Sequence, residues 1–547
     1  MGHEYSGLSL EFGRPHDPWE KFTHRNERIH RAEDTSRLCI QNATSHDVIN
    51  ECLAHDNRRL YDPIPHKSQL LRDFLSEVLE NKPVSSQPYE FDIERRCQSS
   101  YIVLVDDRQN HPDCEKKIRR RCTACQIFSR YLTVPQLRDH LIKERTVLRA
   151  EKRIIFLPDL TPDGALVLVA TAAKRSSTPI RLFLQRYLAR EHVFTTSTSW
   201  GFFLEFHLPY HAMRRNPSIV IQDARTVRGK PLRRSEEVPL RDISDDHEDL
   251  YYHEAQTSSL SWGTDEWFWT ELFLVETYFG SEPLLRTYLN PPTDGIEGDG
   301  NDPPLGGSGS MQYDSCFDPR EYFLHKLDRR LDQVAKEYSA LVETFNQRME
   351  NYLSSIRGVF RDDADLQHTK TISNVIETVQ IFVDCIGGTV EFWDNLYKTQ
   401  ISLFTTHARD KPLWPALLDR IVRNVLELRR LRRLLETKRD RFKFKLESLH
   451  TVSSLDQADK AIGQTDAAIQ QGKDISTLTK MTVYIAFPVL VTTAIFSMDI
   501  VTPEQPWAVL GGVLVIAFFL NVLIANLVEQ PWAQPRELWR RARLWTL

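Results

Sequence analysis

Two apolar segments near the C-terminus decide the fold: MTVYIAFPVLVTTAIFSM (Met481–Met498) and WAVLGGVLVIAFFLNVLIANLV (Trp507–Val528). Neither segment contains a charged residue. Each is long enough to span a membrane, because a helix of about 20 residues crosses a hydrocarbon layer about 30 Å thick. The alternative is a buried hairpin in a soluble core, but such helices usually interleave some charge. The pattern therefore predicts an integral membrane protein with a two-helix transmembrane hairpin at residues 481–528.

Basic residues flank the two segments and predict their orientation. Lys473 and Lys480 precede the first segment, and the second is followed by Arg536, Arg540, Arg541 and Arg543. The connecting loop, residues 499–506, has two acidic residues and no Lys or Arg. Because positively charged flanks stay on the cytosolic side, this multi-pass protein is expected to have both termini in the cytosol.

The rest of the chain has the composition of a soluble, cytosol-facing body. Charged residues make up 27% of the chain, the net charge is −5, and the eight cysteines lack the spacing of a secreted disulfide framework. No basic excess points to nucleic acid. Composition divides the chain into a polar, loosely folded N-terminal region (1–95), an α/β domain (96–282), a flexible linker (283–318), a long-helix region with a stalk (319–480), the two transmembrane helices (481–528) and a basic cytosolic tail (529–547).

Short apolar runs and helical patterns indicate the elements of the α/β domain, so the fold class is α+β. The predicted strands are Tyr101–Val105, Arg153–Leu157, Ala165–Ala170 and Trp200–Leu208. Helices are expected at Lys67–Glu80, Pro179–Leu188 and Glu266–Tyr278, and beyond the linker at Arg320–Gly358 and Ile372–Asp410.

A further helix starts after Pro415 and meets no proline until Pro488. At 1.5 Å per residue it extends roughly 100 Å, which is too long for a globular domain and indicates a stalk. Its first part has one apolar face, formed by Leu418, Ile421, Val425, Leu428, Leu431 and Leu435.

The end of this helix and the first apolar segment resemble the CorA-like magnesium transporters of the two-transmembrane GxN type. The resemblance lies in Lys480-Met481-Thr482 at the entry, Pro488 within the span and Phe496-Ser497-Met498-Asp499 at its end. The family has Gly-Met-Asn where this chain has Ser497, Met498 and Asp499, so only the methionine matches.

The soluble part resembles a divergent fungal branch of the same family, through Trp200-Gly201, Phe206-His207-Leu208-Pro209 and the Trp267–Phe279 segment. The resemblance implies a homopentameric funnel in which the first spans line a pore and the second spans face lipid. It further implies passive, potential-driven transport of Mg²⁺, with divalent cations and membrane lipid as partners and no organic cofactor.

The first span is compatible with lining a pore. One helical stripe carries Thr479, Val483, Phe487, Leu490 and Ala494, and the stripe is mostly apolar, as in pores that close by dewetting. Any apolar helix has such a stripe, so this alternative stays open.

Four stalk carboxylates, Asp456, Asp459, Asp466 and Asp474, lie within about 80° of one another at about 100° per residue. Repeated around a symmetric stalk, they are candidates for regulatory Mg²⁺, a hard cation that takes oxygen ligands. An ordinary polar surface is the simpler interpretation.

Other constellations favour structural explanations. Cys122-x-x-Cys125 with Cys97 and Cys114 matches no common zinc module, and His247-Glu248 with His253-Glu254 lacks metalloprotease spacing and indicates a solvated acidic loop. The nine Lys or Arg from Arg429 to Lys445 favour a solvated face or a ring of charge between subunits over a nucleic-acid or lipid site.

No enzyme motif is found. Two functions remain: a divalent-cation channel, or a membrane-anchored sensor or interaction protein that keeps the fold without transport. Ser497-Met498-Asp499 is the feature that discriminates between them.

Overall fold

A computed structural model describes most of the soluble body and both apolar segments. It covers residues 65–80, 103–109, 126–143, 145–148, 150–197, 201–216, 221–240, 249–265, 267–280, 304, 318–359, 362–363, 365–405, 413–497 and 506–529. Contacts divide the chain into two compact units, unit 1 (residues 1–446) and unit 2 (residues 447–547). The Cys122–Cys125 pair, most of the predicted linker, the loop from Met498 to residue 505 and the basic tail lie outside the described residues.

The described strands of unit 1 form one large sheet and a small ribbon. They are β1 (Val103–Arg108), β2 (Gln126–Leu132), β3 (Lys152–Pro158), β4 (Val193–Ser197), β5 (Phe202–Asn216), β6 (Thr226–Val227), β7 (Lys230–Pro231), β8 (Ser235–Glu237), β9 (Asp249–Gly263) and β10 (Trp269–Val275). The sheet has the order β2-β1-β3-β10-β9-β5-β4, with β8 also paired to β9. Its neighbours are antiparallel except β3 and β10, which run parallel at its centre.

Helices cover both faces of the sheet and continue into unit 2. They are α1 (Pro65–Glu80), α2 (Val134–Ile142), α3 (Arg145–Leu148), α4 (Pro162–Thr171), α5 (Lys174–Leu188), α6 (Pro319–Ser355), α7 (Gln367–Thr399), α8 (Ser402–Thr405), α9 (Leu413–Met481), a π-helical turn (Thr482–Ala486), α10 (Phe487–Ser497) and α11 (Pro506–Glu529).

One face of the sheet packs against α1, α2, α4 and α5. Alternate residues of β3 and β10 lie in this core, as the two-residue repeat of a strand requires: Ile155, Leu157, Leu272 and Leu274. The helices contribute Leu71, Phe74, Leu75, Leu137, Leu166 and Phe183. Helix α1 confirms the helix predicted at Lys67–Glu80 and supplies core side chains from a region that the sequence predicts to be loosely folded.

The opposite face of the sheet packs against α6. The ring centroids of Phe206 and Phe323 lie 5.7 Å apart, and those of Trp269 and Tyr322 lie 5.5 Å apart. The ammonium of Lys152 lies 4.3 Å from the Tyr322 ring centroid and is buried. The sheet therefore forms the middle layer of an α/β/α arrangement.

Helices α6, α7 and α9 pack together in unit 1. The apolar face predicted for the start of α9 is confirmed, since its residues are buried except Leu418, which is half-buried: Ile421, Val425, Leu428, Leu431 and Leu435. Consecutive glycines let α7 approach its neighbours closely, because a Cβ at Gly388 would lie only 2.6 Å from Nδ1 of His192.

Two predicted elements are wrong in type. The expected strand Ala165–Ala170 lies in α4, which begins at Pro162. The preceding residue, Thr161, caps the helix, because its hydroxyl accepts from the Gly164 N–H. The segment is buried all round, so apolar periodicity could not separate strand from helix. The expected helix Glu266–Tyr278 contains β10, a central strand buried on both faces, whose nearly continuous apolar run hides the two-residue repeat.

Candidate functional site

The apolar segments of unit 2 expose their hydrophobic side chains. Leu490 of α10 is 66% exposed, and Trp507 and Phe519 of α11 are 82% and 68% exposed. Among the described residues, one helical stretch, Leu413–Ile495, is long and apolar enough to cross a membrane, and its most apolar window has a mean hydropathy of 1.5 and is 11% buried. Helix α11 has 24 residues, but its described apolar part, Trp507–Leu523, is shorter. A soluble core would bury such surface, so the exposure favours a membrane-spanning segment over the buried hairpin.

A small polar contact joins the two apolar helices. Asn521 of α11 and Thr492 of α10 are 7% and 2% exposed. The side-chain amide of Asn521 donates a hydrogen bond to the Val483 carbonyl in the π-helical turn. The Thr492 hydroxyl donates to the Pro488 carbonyl at 2.7 Å, so both buried polar groups have partners.

The residues predicted to line a pore all lie on the surface of unit 2. These exposed residues are Thr479, Val483, Phe487, Leu490 and Ala494. Residues of the same segment that are less exposed include Tyr484, Pro488 and Thr492. The predicted stripe is thus available for contacts that a single chain does not make.

Only the first residue of the predicted pore signature is described. Ser497 is the last residue of α10, and its hydroxyl donates to the Ala494 carbonyl at 2.8 Å. Met498 and Asp499 lie outside the described residues.

The four stalk carboxylates do not converge within one chain. Asp456, Asp459, Asp466 and Asp474 lie on the exposed surface of α9, and Asp456 pairs with Lys460 at 2.8 Å. Within the described residues, no group of three or more His, Cys, Asp or Glu side chains could hold a metal ion. A cation site there would need a second copy of the stalk.

An exact heptad repeat runs along the exposed stalk and was missed by the sequence reasoning. The apolar residues Leu455, Ile462, Ile469, Val483 and Leu490 recur at multiples of seven and are 38% to 66% exposed. The fourth position of the repeat is occupied by Ser476, and three residues after each of the first four positions stand Ala458, Thr465, Gly472 and Thr479. We call the five apolar residues Leu455, Ile462, Ile469, Val483 and Leu490 the heptad stripe, and the residues three positions later form its flank. Counting in sevens along the printed sequence would have found it.

Part of the basic run of α9 contacts the neighbouring helices of unit 1. Several contacts hold α9 to α6 and α7: Lys438–Glu350, Arg441–Glu350, Arg429–Asp394 and Arg439–Gln380. The hydrogen bond from the Lys438 ammonium lowers the pKa of the Glu350 carboxylate, and Arg441 lowers it further. Part of the run therefore links the helices of unit 1, while Arg430, Arg433, Arg441 and Lys443 remain exposed to solvent, as expected of a solvated face.

Two residues assigned to an acidic loop are buried in β9 instead. His253 and Glu254 are 0% and 7% exposed. The Glu254 carboxylate pairs with Arg190 at 3.1 Å and with Arg234 at 3.0 Å. The expected solvated loop is therefore wrong for these two residues, because β9 pairs with β5 along its whole length; the preceding acidic residues 242–248 lie outside the described residues.

A serine, a histidine and a glutamate line up across β5 and β9. The Ser258 hydroxyl lies 2.7 Å from Nδ1 of His207, whose Nε2 lies 2.8 Å from Glu205. Burial lowers the pKa of His207, against the opposing effect of the Glu205 carboxylate. Ser258 and His207 are completely buried, and the Phe183 ring lies 4.8 Å from the imidazole. Because no substrate can reach the hydroxyl, this relay links two strands and is not a hydrolytic site.

The one described cysteine, Cys385 of α7, is buried and has no disulfide partner. Its Sγ lies 3.4 Å from the Pro209 carbonyl and 3.8 Å from Nε2 of His192. Burial raises the pKa of this thiol, as is typical of an unreactive structural cysteine.

No protein-family model and no curated protein matches this sequence. Solved structures similar to this chain at low TM-scores include the following two. Full-length CmaX is 10% identical, with a TM-score of 0.30, and the match covers 77% of this chain and 95% of CmaX. The cytoplasmic domain of ZntB from Vibrio parahaemolyticus RIMD 2210633 is 10% identical, with a TM-score of 0.28, and the match covers 64% of this chain and 99% of that domain. Likeness at these scores establishes no family for the chain.

Proposed function

We propose that the protein is a passive, potential-driven channel for divalent cations, built as a CorA-like homopentamer with Mg²⁺ as its main cargo. The heptad stripe carries this proposal. Leu455, Ile462 and Ile469 are 60%, 60% and 53% exposed on a stalk segment that is otherwise rich in polar and charged residues, and a single chain leaves them without an apolar partner surface. Apolar residues spaced by seven are buried most simply between identical helices that run in parallel.

The stripe continues from the polar stalk into the apolar segment. Val483 and Leu490 keep the spacing set by Leu455, although the π-helical turn lies in this stretch. Stalks that associate along the stripe therefore bring the first spans around a common axis. The predicted pore residues Thr479, Val483 and Leu490 belong to this stripe or its flank, so an axis through the membrane would be lined mainly by apolar side chains, which gate by dewetting.

Divalent cations suit the acidic groups expected at the two ends of this axis. The predicted outer loop carries Asp499 and Glu504 and no basic residue. A ring of Asp499 carboxylates, one from each subunit, would concentrate divalent cations at the mouth through its negative potential. Fivefold symmetry, magnesium and the funnel shape come from the family resemblance of the sequence.

The stalk carboxylates are proposed to bind a regulatory cation between subunits. Asp459 and Asp466 lie four residues after Leu455 and Ile462 of the stripe, and so flank it. Magnesium should then protect the stalk from proteolysis by mass action, and changing all four stalk aspartates to alanine should abolish this protection. If magnesium protects the variant and the wild type equally, the four aspartates bind no regulatory cation and are ordinary surface residues.

The experiment is ion flux into liposomes that contain the purified full-length protein, with Mg²⁺, Co²⁺ and Ni²⁺ compared under an imposed potential. Flux that saturates with cation and follows the potential supports the channel. A well-folded homo-oligomer that passes none of the three ions rejects it and favours a membrane-anchored sensor. Empty liposomes and liposomes with heat-inactivated protein control for leakage.

A further inference from the structure

We infer that Asn521 is a positioning residue that holds the π-helical turn of the first span in place by hydrogen-bonding the Val483 carbonyl. The inference rests on the proposed function only for its effect on transport. Its structural part concerns α10, α11 and the turn between α9 and α10.

The Val483 carbonyl has no backbone donor in either helical register. In an α-helix it would accept from the N–H of Phe487, four residues on, but that N–H bonds to the Thr482 carbonyl, five residues back. In the π-helical register it would accept from residue 488, which is proline and has no N–H. The π-helical turn and Pro488 together therefore leave the Val483 carbonyl without a backbone hydrogen-bond donor.

The second apolar helix supplies the missing donor. The Asn521 amide donates to the Val483 carbonyl, and Asn521 is 7% exposed among residues that are otherwise apolar. An unpaired carbonyl in a membrane is costly because no water is available there, so a donor from a neighbouring helix stabilises the irregular turn. Asparagine is short and polar, which makes it costly in this helix unless the amide has a partner.

The bond fixes the turn at the level of the predicted pore residues. Val483 belongs to the heptad stripe, and Phe487 and Leu490 follow within seven residues. A π-helical turn and a proline are two of the sites at which helices commonly bend. Asn521 therefore sets the angle at which the predicted pore-lining part of the first span continues from the stalk.

A double-mutant cycle tests the contact without any need for transport. Four full-length proteins are compared in detergent by thermal unfolding: wild type, Asn521→Leu, Pro488→Ala and the double variant. In the wild-type background, Asn521→Leu should shift the folded-to-unfolded ratio by about 3- to 15-fold, the range expected for hydrogen bonds between membrane helices. In the Pro488→Ala background the shift should disappear, because the N–H restored at residue 488 can bond to Val483.

Additive effects of the two substitutions would overturn the inference, and so would an Asn521→Leu protein that fails to fold in both backgrounds. If Asn521→Leu fails to fold with proline at residue 488 but folds with alanine there, the result supports the inference. Thr492→Val provides the matched control, because it removes a buried hydroxyl that bonds within its own helix, and its effect should be the same with proline or alanine at residue 488.

Ion flux separates positioning from mere stability. Asn521→Leu should change the flux per folded oligomer, and Pro488→Ala should restore it in the double variant. If the wild-type protein carries no flux, the proposed function fails while the unfolding cycle still decides the hydrogen bond. If flux is unchanged in a variant whose stability is coupled to Pro488, the bond is structural and the positioning role is wrong.

Discussion

The ammonium of Lys326 lies 2.5 Å from the carboxylate of Glu271, and both side chains are completely buried between α6 and the sheet. The Lys326 ammonium also donates to Ser259 at 2.7 Å and to Ser261 at 3.0 Å, and the Ser259 hydroxyl donates to Glu271 at 2.7 Å. Every charged group in this network therefore has a partner, as a buried ion pair requires.

Removing one member of this pair should be costly. Lys326→Met leaves the Glu271 carboxylate buried and uncompensated, and should lower the free energy of unfolding by about 3–5 kcal/mol. Lys336→Met is the matched control on the same helix, because Lys336 is 76% exposed in its pair with Asp332 and should cost less than about 1 kcal/mol. Denaturant unfolding of the full-length protein measures both, and Lys326→Met with Glu271→Gln should recover part of the loss. Equal costs for the two lysine variants would contradict the prediction.

The buried imidazole of His253 should make unit 1 sensitive to acid. Burial and the nearby Arg214 lower its pKa to about 4, from 6.5. Between these values the unfolded chain binds a proton that the folded chain does not. The free energy of unfolding is therefore highest above about pH 6.5. It falls as the pH is lowered toward 4, by an amount on the order of 3 kcal/mol.

His253→Gln should flatten this part of the stability profile, measured as the unfolding midpoint from pH 7 to pH 4. Phe279→Leu is the control, because the Phe279 ring stacks on the imidazole at 5.5 Å but does not titrate. It should lower the midpoint at every pH and leave the slope unchanged. An unchanged slope in His253→Gln would assign the acid sensitivity to other groups.

A methyl group at Gly263 should disrupt the sheet where β9 ends beside the start of β10. A Cβ there would lie 2.4 Å from the Phe268 carbonyl oxygen and 2.6 Å from Cβ of Trp269, and the backbone atom has little room to move. Gly263→Ala should cost about 3 kcal/mol, the upper end for overpacking. Gly229→Ala is the comparison, because Gly229 has a φ of +71° with nothing within 4 Å, and strain of the backbone alone costs about 1–2 kcal/mol. The two unfolding free energies compare the cost of a steric clash with the cost of backbone strain, and a larger loss in Gly229→Ala would contradict the prediction.

The heptad stripe should control assembly. Ile469→Gln, at a stripe position that is 53% exposed, should raise the concentration at which the oligomer dissociates by about tenfold or more, because burial of an isoleucine is worth about 1.5–3 kcal/mol. Leu478→Gln is the matched control, since Leu478 is 65% exposed on the same helix but lies off the stripe. Native mass spectrometry over a dilution series gives both values. The same dissociation in both variants would assign assembly to another surface.

Asp499 should set cation attraction at the pore mouth. Carboxylates crowded around an axis repel one another, so some should hold protons near neutral pH, and flux should weaken on acidification. Asp499→Asn should sharpen the preference for Mg²⁺ over Ca²⁺, because neutral carbonyls suit the hydration shell that Mg²⁺ gives up reluctantly. Asp499→Ala should lower flux at submillimolar cation. Flux that is silent in all three well-folded oligomers would reject the channel.

The apolar helices could be predicted from the sequence because each shows a strong regular pattern. The face from Ile421 to Leu435 follows from the spacing of its apolar residues, and the segment around Leu490 follows from its length and its lack of charged residues. Strand β9 could not be predicted, since Glu254, Ser258 and Ser261 resemble a solvated loop. These polar groups are buried only because distant residues, among them Arg190 and Lys326, satisfy them, and no local pattern encodes such partners.

The parallel pair β3–β10 has a consequence for biosynthesis. Strand β3 ends at Pro158 and its partner ends at Val275, so the central ladder joins segments more than a hundred residues apart. At the usual rates of translation, one edge of β3 waits roughly 10 s for its partner to leave the ribosome. An unpaired edge beside Ile155 and Leu157 is a template for aggregation. Early packing of α4 and α5 would cover the apolar face at Ile155 and Leu157 during this interval, whereas the edge of β3 is filled only when β10 emerges.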